Sequence, residues 1–428
     1  MNLRVTLLAG CIIFAGCSGQ RSEPSTSTST AATPASPAAS PILAVGPLSV
    51  PAPAGASEPQ LTSSSRGTIL SWVESNGTVA ALKFAERTGG SNWSEPRTVA
   101  TGKDWFLSDA DMPTVQRMAN GTLVAAWYRS TQIQLEAYDT WLAYSKDDGK
   151  TWSAPFKPYK DRTKTQHGFV SMFDQPGGGL GLVWLDAREW ELNQDAPDGG
   201  AVMLRSASFD PSWKQTSDQI VNLRVCDCCQ TSVATTPDGV VVAFRDRSDK
   251  EIRDIHVTRL EDGKWTDAQS VHADNWEIDS CPVNGPAVSA SGTTLAAAWF
   301  TAASGKGHAY AAFSRDAGRT WGEPIRLDEQ LSTGRVDIEM VDDGGAVATW
   351  VEFANQQSQM RARRFSVAGA VSAPIAVQGT GAGSVGGFPR MVRQGDELLF
   401  VWSESMTGGE HAEHGGAVQV KGALASLK

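Results

Sequence analysis

The stretch GTLVAAWYRS, residues 121–130, decides the fold of this chain because six similar stretches recur along the sequence. Each copy is a short apolar strand signal that ends in or near an aromatic residue. The other copies read GTILSWVES, GLGLVWLDAR, GVVVAFRDRS, TTLAAAWFTAA, GAVATWVEF and ELLFVWSES. Seven copies spaced 51 to 60 residues apart indicate a repeat architecture. Their aromatic anchors are Trp72, Trp127, Trp184, Phe244, Trp299, Trp350 and Trp402.

Each copy is flanked by further strand signals. Stretches such as PTVQRM and TSVATT precede it, stretches such as TWLAYSKD and AYAAFSRD follow it, and WSEPRTV or WSAPFKP comes last. Four short antiparallel strands per repeat, separated by turn residues, are typical of a β-propeller blade. The sequence therefore predicts an all-β fold, a β-propeller of seven four-stranded blades, with six blades as the alternative if one copy is displaced.

The two ends of the repeat region complement each other. The last repeat ends near Lys428 without an outer strand, while ILAVGPLSVPAP, residues 42–53, precedes the first full repeat. Pairing these two ends would close the ring and remove its exposed sheet edges. We therefore expect an N-terminal strand to complete the last blade.

The first residues resemble an export signal. Residues 1–16 carry one early cation, Arg4, and then an apolar run, and FAGC ends at Cys17 in the manner of a bacterial lipobox. We expect residues 1–16 to be a lipoprotein signal peptide and Cys17 to be lipidated, with an ordinary secretory signal as the alternative. The predicted location is the bacterial cell envelope, lipid-anchored at the outer membrane and facing the periplasm or the exterior.

Composition divides the rest of the chain into two parts. Residues 17–41 are rich in Ser, Thr, Pro and Ala, which cannot bury enough apolar surface to fold, so they predict a disordered tether. Residues 42–428 form one predicted propeller domain. A net charge of −10 disfavours nucleic acid, whose phosphates require a basic face. We predict a monomer without cofactor or resident metal that touches the membrane only through its lipid.

Two turns carry a more specific pattern. SKDDGKTW, residues 145–152, and SRDAGRTW, residues 314–321, both fit S-x-D-x-G-x-T-W, which resembles the Asp-box of sialidase-like propellers. In each turn the aspartate, Asp147 or Asp316, can accept backbone N–H groups. The glycines Gly149 and Gly318 tolerate positive φ. Such turns indicate architecture rather than activity.

Charged residues collect on one predicted face, where the blade connections and the loops after each second strand lie. A mouth of arginines and carboxylates suits an anionic or polyhydroxylated ligand, because arginine binds carboxylate in a bidentate manner and acids accept sugar hydroxyls. The alternative is that these charges form ion pairs between blades. The predicted ligand-binding residues are Asp186, Arg188, Arg245, Arg247, Arg335 and Arg390.

The signal, the Asp-box-like turns and the charged mouth together resemble bacterial lipoproteins of the sialidase family, proteins of exo-alpha-sialidase type. The resemblance covers residues 55–428 and implies hydrolysis of a terminal sialic acid by an arginine triad, a tyrosine nucleophile and an aspartate acid/base. It implies that Arg245, Arg335 and Arg390 converge on a carboxylate. It also implies that Asp109 or Asp111 is the acid/base.

The match to that reaction is partial. None of the five tyrosines lies in the last two repeats, where sialidases place their nucleophile, so Tyr128 and Tyr138 become the candidates near the mouth. The Arg-Ile-Pro motif of sialidases is missing from the first repeat. We expect a pocket for an anionic sugar or another anionic small ligand, with sialidase-type hydrolysis as one hypothesis. A non-catalytic propeller that binds a glycan or protein is the alternative, and a cysteine-based metal or redox role is the second alternative.

Four cysteines follow the signal region, at Cys226, Cys228, Cys229 and Cys281, in consecutive blade connections. In an oxidising compartment two disulfides are the first expectation, one from the triplet to Cys281 and one within the triplet. A four-thiolate copper or zinc site and free or redox-active thiols remain alternatives. A weaker metal signal is GGEHAEHGG, which contains His411 and His414 and is also consistent with a plain glycine-rich loop.

Overall fold

The chain forms seven antiparallel sheets arranged as the blades of a β-propeller. This computed structural model describes residues 42, 45–89, 92–131, 136–192, 200–354, 356–378, 384–405 and 418–427. In the first six blades the strands run outward in chain order, so the first strand of each lies at the axis, and in the seventh blade β1 lies outermost. The predicted seven-bladed ring is confirmed.

The first strand along the chain is β1 (Val45–Leu48), and the first four blades follow it. The first blade has strands β2 (Ala56–Ser64), β3 (Gly67–Ser75), β4 (Ala80–Arg87) and β5 (Arg97–Gly102). The second has β6 (Thr114–Arg117), β7 (Leu123–Ser130) and β8 (Tyr138–Ser145). The third has β9 (His167–Asp174), β10 (Leu180–Asp186), β11 (Met203–Phe209) and β12 (Gln215–Asn222), with the short helix α1 (Glu189–Leu192) after β10. The fourth has β13 (Ser232–Thr236), β14 (Gly239–Arg245), β15 (Ile255–Glu261), β16 (Lys264–Trp265) and β17 (Gln269–Ser270).

Three further blades complete the ring. The fifth has β18 (Ala287–Ser291), β19 (Thr294–Thr301), β20 (His308–Ser314) and β21 (Ile325–Arg326). The sixth has β22 (Ser332–Met340), β23 (Ala346–Ala354), β24 (Gln357–Phe365) and β25 (Ile375–Ala376). The seventh has β26 (Ser384–Gln394), β27 (Glu397–Ser405) and β28 (Val418–Ser426). No helix of the described residues is long and apolar enough to cross a membrane.

The N-terminal strand closes the ring as expected. β1 pairs antiparallel with β28, from Val45 opposite Ala425 to Leu48 opposite Gly422. The last blade therefore takes its fourth strand from the beginning of the propeller, and the edge of β28 is covered.

Two outer strands are less regular than the repeat predicts. In the second blade the fourth position is a single bridge between Leu142 and Phe156 instead of a strand. In the fourth blade the outer position is divided between β16 and β17, which both pair with β15. Outer strands pack least against neighbouring blades, so irregularity there leaves the ring intact.

The core lies between neighbouring sheets. All seven aromatic anchors are buried, and the most exposed of them, Trp402, is only 4% exposed. One cluster joins Ala298 and Phe313 of the fifth blade to Trp350 of the sixth. The second strands are mostly apolar, and β10 is buried along its whole length because both of its faces are covered by adjacent blades.

The two S-x-D-x-G-x-T-W turns have the same internal hydrogen bonds. Asp147 accepts the N–H of Thr151 at 2.9 Å and its hydroxyl at 2.7 Å, and Asp316 accepts the N–H and hydroxyl of Thr320 at 2.8 and 2.6 Å. These bonds lower the pKa of Asp147 to about 2. Each turn leaves the third strand of its blade on the face opposite the blade connections. We call the face with the blade connections the upper face.

Candidate functional site

A polar pocket lies in the axial channel, where the inner strands begin at the upper face. Its volume is about 210 Å³, and five blades contribute to its wall. Amide, hydroxyl, carboxyl and guanidinium groups dominate the lining, which offers donors and acceptors in several directions. The principal polar residues of this axial pocket are Gln60, Asp111, Gln116, Tyr128, Ser171, Gln230, Thr231 and Arg390.

Four of the seven inner strands carry a bulge at the level of this pocket. The register slips in β2, β9, β22 and β26, and each slip contains a residue with left-handed backbone. These residues are Glu58 at φ 54°, Phe169 at 57°, Arg335 at 56° and Gly387 at 61°. Bulges re-aim side chains and are frequent next to functional sites, and non-glycine residues in this region carry strain.

Asp111 is the centre of the charged part of the pocket. Its Oδ2 accepts hydrogen bonds from Tyr138 Oη at 2.7 Å and from the N–H of Phe169 at 2.8 Å. Tyr128 also donates to this carboxyl group. Burial raises the pKa of Asp111 to about 6, although all three hydrogen bonds act to lower it.

The two tyrosines are held as neutral phenols. Burial and the neighbouring Asp111 raise the pKa of Tyr128 and of Tyr138 well above the usual value for tyrosine. Tyr128 lines the pocket, whereas Tyr138 packs beneath it, stacked on Phe106 with ring centroids 3.9 Å apart. The structure thus brings three of the four predicted catalytic residues, Asp111, Tyr128 and Tyr138, into one hydrogen-bonded group.

Glu58 is a buried carboxyl group that lies near this hydrogen-bonded group, and sequence analysis missed it. It is 4% exposed, and its Oε2 has no hydrogen-bond partner among the described residues. Burial, with the charges of Asp109 and Asp111, raises the pKa of Glu58 well above its usual value. An unpartnered buried carboxyl oxygen on a strained bulge is rare in a purely structural role. The sequence ASEPQL around it looks like an ordinary strand.

Close packing holds the group in place. A Cβ atom on Gly168 would lie 2.1 Å from Asp111 Oδ2 and 2.5 Å from Tyr138 Oη. Only glycine therefore permits β9 to approach the carboxylate and the phenol. The remaining predicted catalytic residue, Asp109, lies beside Gly387, whose own Cβ position would be 3.7 Å from Asp109 Oδ1.

Gln230 was also missed, and it ties two blade connections together. Its Nε2 donates to the carbonyl of Ala110 at 2.7 Å, and its Oε1 accepts the N–H of Gly285 at 3.1 Å. The first bond fixes the connection that carries Asp111. The only sequence signal for this role is the position of Gln230 two residues before the inner strand of the fourth blade.

The channel continues towards the lower face as a second cavity of about 420 Å³ that shares Gln60, Gln116 and Arg390 with the axial pocket. Arg390 faces Asp337, and its Nε has no hydrogen-bond partner among the described residues. Burial, together with the charge of Asp337, raises the pKa of Glu339 to about 8. These side chains lie deep in the fold, but they face the channel and keep partial exposure.

The predicted arginine triad does not form around one point. The Nε, Nη1 and Nη2 atoms of Arg245 donate to the backbone carbonyls of Asn284, Arg253 and Phe300 at 2.8, 2.5 and 2.8 Å. Arg335 Nη1 donates to the carbonyl of Gly387 at 2.7 Å. Of the predicted arginines, Arg390 lines the axial pocket and Arg245 does not.

The other predicted binding residues pair with neighbouring acids. Arg247 binds Glu251 at 2.8 Å, and Arg188 binds the fully buried Asp186 at 2.6 Å. Asp186 also accepts the indole N–H of Trp184 at 2.8 Å. Each pair lies within a single blade, whereas the alternative interpretation of the charged mouth placed ion pairs between blades, and neither pair lines the axial pocket.

The four cysteines meet on the upper face. Cys228 and Cys281 form a disulfide, which is the predicted link from the triplet to Cys281. The second disulfide expected within the triplet is not formed, since Cys226 Sγ and Cys229 Sγ lie 3.0 Å apart as free thiols. Cys17, His411 and His414 lie outside the described residues.

No family model matches the sequence, and no curated protein is similar to it. Solved structures share its fold. A protein of unknown function from Dyadobacter fermentans is 15% identical, with a TM-score of 0.50 over 88% of this chain and 95% of that chain. The polysaccharide lyase Uly1 is 9% identical, with a TM-score of 0.52 over 87% and 90%.

The NanB sialidase from Streptococcus pneumoniae is also similar, at 9% identity and a TM-score of 0.46 over 84% of this chain and 83% of that chain. The two structures with the higher TM-scores show that the propeller of this chain is a known architecture. The function of the chain has to be argued from its own site.

Proposed function

We propose that this chain is a carbohydrate-directed propeller protein whose axial pocket binds one terminal, acidic sugar residue of a glycan. The observation that carries the proposal is the composition of the pocket wall. Asp111 and Tyr128 lie on one side, and the amides of Gln60 and Gln116 lie nearby. Arg390 contributes a guanidinium whose Nε has no hydrogen-bond partner in the part of the chain that the structure describes. Amides and a carboxylate bind sugar hydroxyls, and a guanidinium binds a sugar carboxylate.

The size of the pocket favours a chain end over an internal segment. At about 210 Å³ it is smaller than the ~300–1,000 Å³ pockets that enclose drug-sized ligands. One sugar ring fills such a space, and the rest of the glycan would extend from the upper face. Glycans are also the first ligand class to test because the propeller fold is shared with Uly1, named a polysaccharide lyase.

Glycan binding without catalysis is better supported than sialidase-type hydrolysis. The three arginines expected to hold one carboxylate are separated, since Arg245 is bound to backbone carbonyls away from the pocket. The phenols near Asp111 are kept neutral rather than activated as nucleophiles. A carbohydrate-binding protein needs neither three arginines around one carboxylate nor a tyrosine activated as a nucleophile.

A second candidate, glycan cleavage by acid–base catalysis, is favoured by the pair Glu58 and Asp111. Burial raises the pKa of Glu58 well above its usual value, whereas Asp111, whose pKa is raised to about 6, is mostly ionised at neutral pH. Two neighbouring carboxyl groups whose pKa values are shifted by burial can serve as a general acid and a general base. In this version Glu58 donates a proton to the leaving oxygen and Asp111 acts through Tyr128 or a water molecule.

The proposed location follows from the first residues of the chain. Export and lipidation of Cys17 would hold the propeller at the bacterial envelope, connected through the Ser-, Thr-, Pro- and Ala-rich segment that follows Cys17. Radiolabelled palmitate incorporated in wild type and absent from Cys17→Ala would support this anchoring, whereas equal labelling of both would refute it.

A glycan panel tests the function. Sialosides and uronic-acid-terminated oligosaccharides should bind to the wild-type protein, and Arg390→Met should weaken binding at least tenfold. Arg393→Met is the matched control, because Arg393 pairs with Asp342 outside the axial pocket. Absence of binding by every acidic glycan at millimolar concentration would refute the proposal. Product release by wild type that is lost in Glu58→Gln, with binding retained, would establish the catalytic version.

A further inference from the structure

Four sulfur atoms form a cluster on the upper face that the carbohydrate proposal does not use. Cys226, Cys228 and Cys229 lie in the connection before β13, and Cys281 lies in the connection before β18. Cys226 Sγ is 3.0 Å from Cys229 Sγ and 3.7 Å from Cys228 Sγ. A free dithiol is therefore in direct contact with the Cys228–Cys281 disulfide.

The two pairs differ in their access to solvent. Cys226 and Cys229 are each 1% exposed. Cys228 is half-buried and Cys281 is exposed. An external molecule can reach the disulfide but not the dithiol. The buried pair can therefore exchange electrons with the outside only through the exposed pair.

Two arginines, Arg245 and Arg253, lie beside the buried dithiol, and Arg253 is itself paired with Glu251 at 2.9 Å. Arg253 Nη1 donates to Cys226 Sγ at 3.5 Å. Arg245 is also close enough to act electrostatically on both buried sulfurs, and its guanidinium nitrogens hydrogen-bond only to backbone carbonyls among the described residues. A buried guanidinium without a carboxylate partner favours a neighbouring anion, and a thiolate at Cys226 supplies one.

The two buried thiols have different acidities. Hydrogen bonding from Cys229, with the charges of Arg245 and Arg253, lowers the pKa of Cys226 to about 7. Burial raises the pKa of Cys229 well above its usual value. Cys226 is therefore the nucleophile, and Cys229 stays protonated until the second step.

We propose that the four cysteines form a thiol–disulfide exchange site, in which the buried dithiol of Cys226 and Cys229 reduces the Cys228–Cys281 disulfide and the exposed dithiol so formed reduces a disulfide of an external molecule. This activity is independent of glycan binding. Its substrate class is a disulfide-bonded protein or small disulfide, and an external dithiol regenerates the buried pair.

The internal exchange balances without an oxidant. In the first step the Cys226 thiolate attacks Cys228 Sγ, the Cys228–Cys281 bond breaks, and the electron pair leaves with Cys281, which takes up a proton. In the second step Cys229 attacks Cys226 Sγ, Cys228 leaves as a thiolate, and the proton of Cys229 passes to Cys228, whose Sγ lies 3.9 Å away. Two electrons have moved from the buried pair to the exposed pair.

The external step returns the exposed pair to its starting state. Cys281 attacks the substrate disulfide to form a mixed disulfide, and one substrate thiol leaves. Cys228 then attacks Cys281, which re-forms the Cys228–Cys281 disulfide and releases the second substrate thiol. The chain now holds two disulfides, and two electrons from a dithiol reductant restore the initial state.

Disulfide mapping of the wild-type protein tests the internal exchange. The full chain is equilibrated in buffers of reduced and oxidised glutathione, quenched with acid, alkylated and analysed by mass spectrometry. Chains with a single disulfide should divide between Cys228–Cys281 and Cys226–Cys229. Single-disulfide chains with only the Cys228–Cys281 bond at every ratio would overturn the proposal. One bound metal ion per chain, with all four thiols protected from alkylation, would also overturn the proposal.

Two conservative variants test the order of events. Cys229→Ser removes the resolving thiol, so it should accumulate the Cys226–Cys228 mixed disulfide with Cys281 free. Cys226→Ser removes the nucleophile and should lower the reduction of an aromatic disulfide probe from two equivalents per fully reduced chain to one. The proposed exchange is contradicted if Cys281 does not react with thiol reagents. It is also contradicted if Cys226→Ser reduces as much probe as the wild-type protein. If either variant fails to fold, the wild-type mapping still decides.

Discussion

Tyr138 Oη donates a 2.7 Å hydrogen bond to Asp111 Oδ2, although Tyr138 starts the third strand of its blade and Asp111 precedes the first. The phenol thus reaches across the intervening strand towards the propeller axis. Together with Tyr128 and the N–H of Phe169 it gives one buried carboxylate three donors. The carboxylate remains less acidic than usual, so burial outweighs all three hydrogen bonds.

Asp111→Asn should make stability less dependent on pH between about 4 and 6. Since the folded pKa of Asp111 is raised to about 6 from 3.8, its contribution is fully present below pH 4 and is lost as pH rises through 6. At about 1.4 kcal/mol per pKa unit, the loss in wild type is at most about 3 kcal/mol. Urea unfolding at pH 4 and pH 7 measures it. Equal pH dependence of both proteins would show that Asp111 titrates normally.

Gly168→Ala should disrupt the group around Asp111 without touching the ligand. The new Cβ would lie 2.1 Å from Asp111 Oδ2, so the carboxylate or Tyr138 has to move. We expect a loss of about 1–3 kcal/mol of stability from overpacking and at least tenfold weaker glycan binding. Gly46→Ala is the control, because the space around Gly46 is open. Thermal unfolding measures the loss of stability, and glycan titration measures the loss of affinity. Wild-type affinity in Gly168→Ala would contradict the assignment of the group around Asp111 to the binding pocket.

Arg245→Met should destabilise the fold without a specific effect on glycan binding. It leaves three buried carbonyls, those of Asn284, Arg253 and Phe300, without a donor. Each unsatisfied group costs about 1–3 kcal/mol, so we expect a loss of at least about 3 kcal/mol. Chemical denaturation measures this cost. Titration of the folded fraction checks affinity, and a selective loss of affinity at unchanged stability would restore Arg245 to the binding site.

The ring of blades could be predicted from the sequence because its cause is periodic. An aromatic anchor every 51 to 60 residues marks a strand that is covered on both faces, and the structure buries all seven anchors. The closing strand could be predicted for the same reason, since one blade lacked a partner that residues 42–53 could supply. The spacing and the apolar pattern belong to the second strands, so irregular outer strands do not change them.

The site was less accessible to sequence analysis because its geometry depends on local departures from that periodicity. Glu58 faces Asp109 and Asp111 through a bulge with φ 54°, and the strand pattern contains no sign of this slip. Arg245 was assigned to the mouth because it ends a second strand, but its guanidinium turns towards the carbonyls of the next blade. One residue of register decides such orientations.

Removal of the closing strand should weaken the ring and expose a sheet edge. β1 pairs with β28 over four residues, Trp93 Nε1 donates to the carbonyl of Ser49 at 3.0 Å, and Leu48 and Val50 pack against the core between the first and last blades. Loss of these contacts should cost on the order of 3 kcal/mol. The exposed edge of β28 should also promote self-association.

Two truncations separate the closing strand from the segment before it. A chain that begins at residue 51 should unfold at lower urea concentration than wild type and form oligomers in light scattering. A chain that begins at residue 41 retains β1, so it should match wild type in both measurements. Because the two differ mainly in β1, a shared loss of stability would assign the effect to the preceding residues. Equal stability of both with wild type would mean that the ring closes through side-chain packing alone.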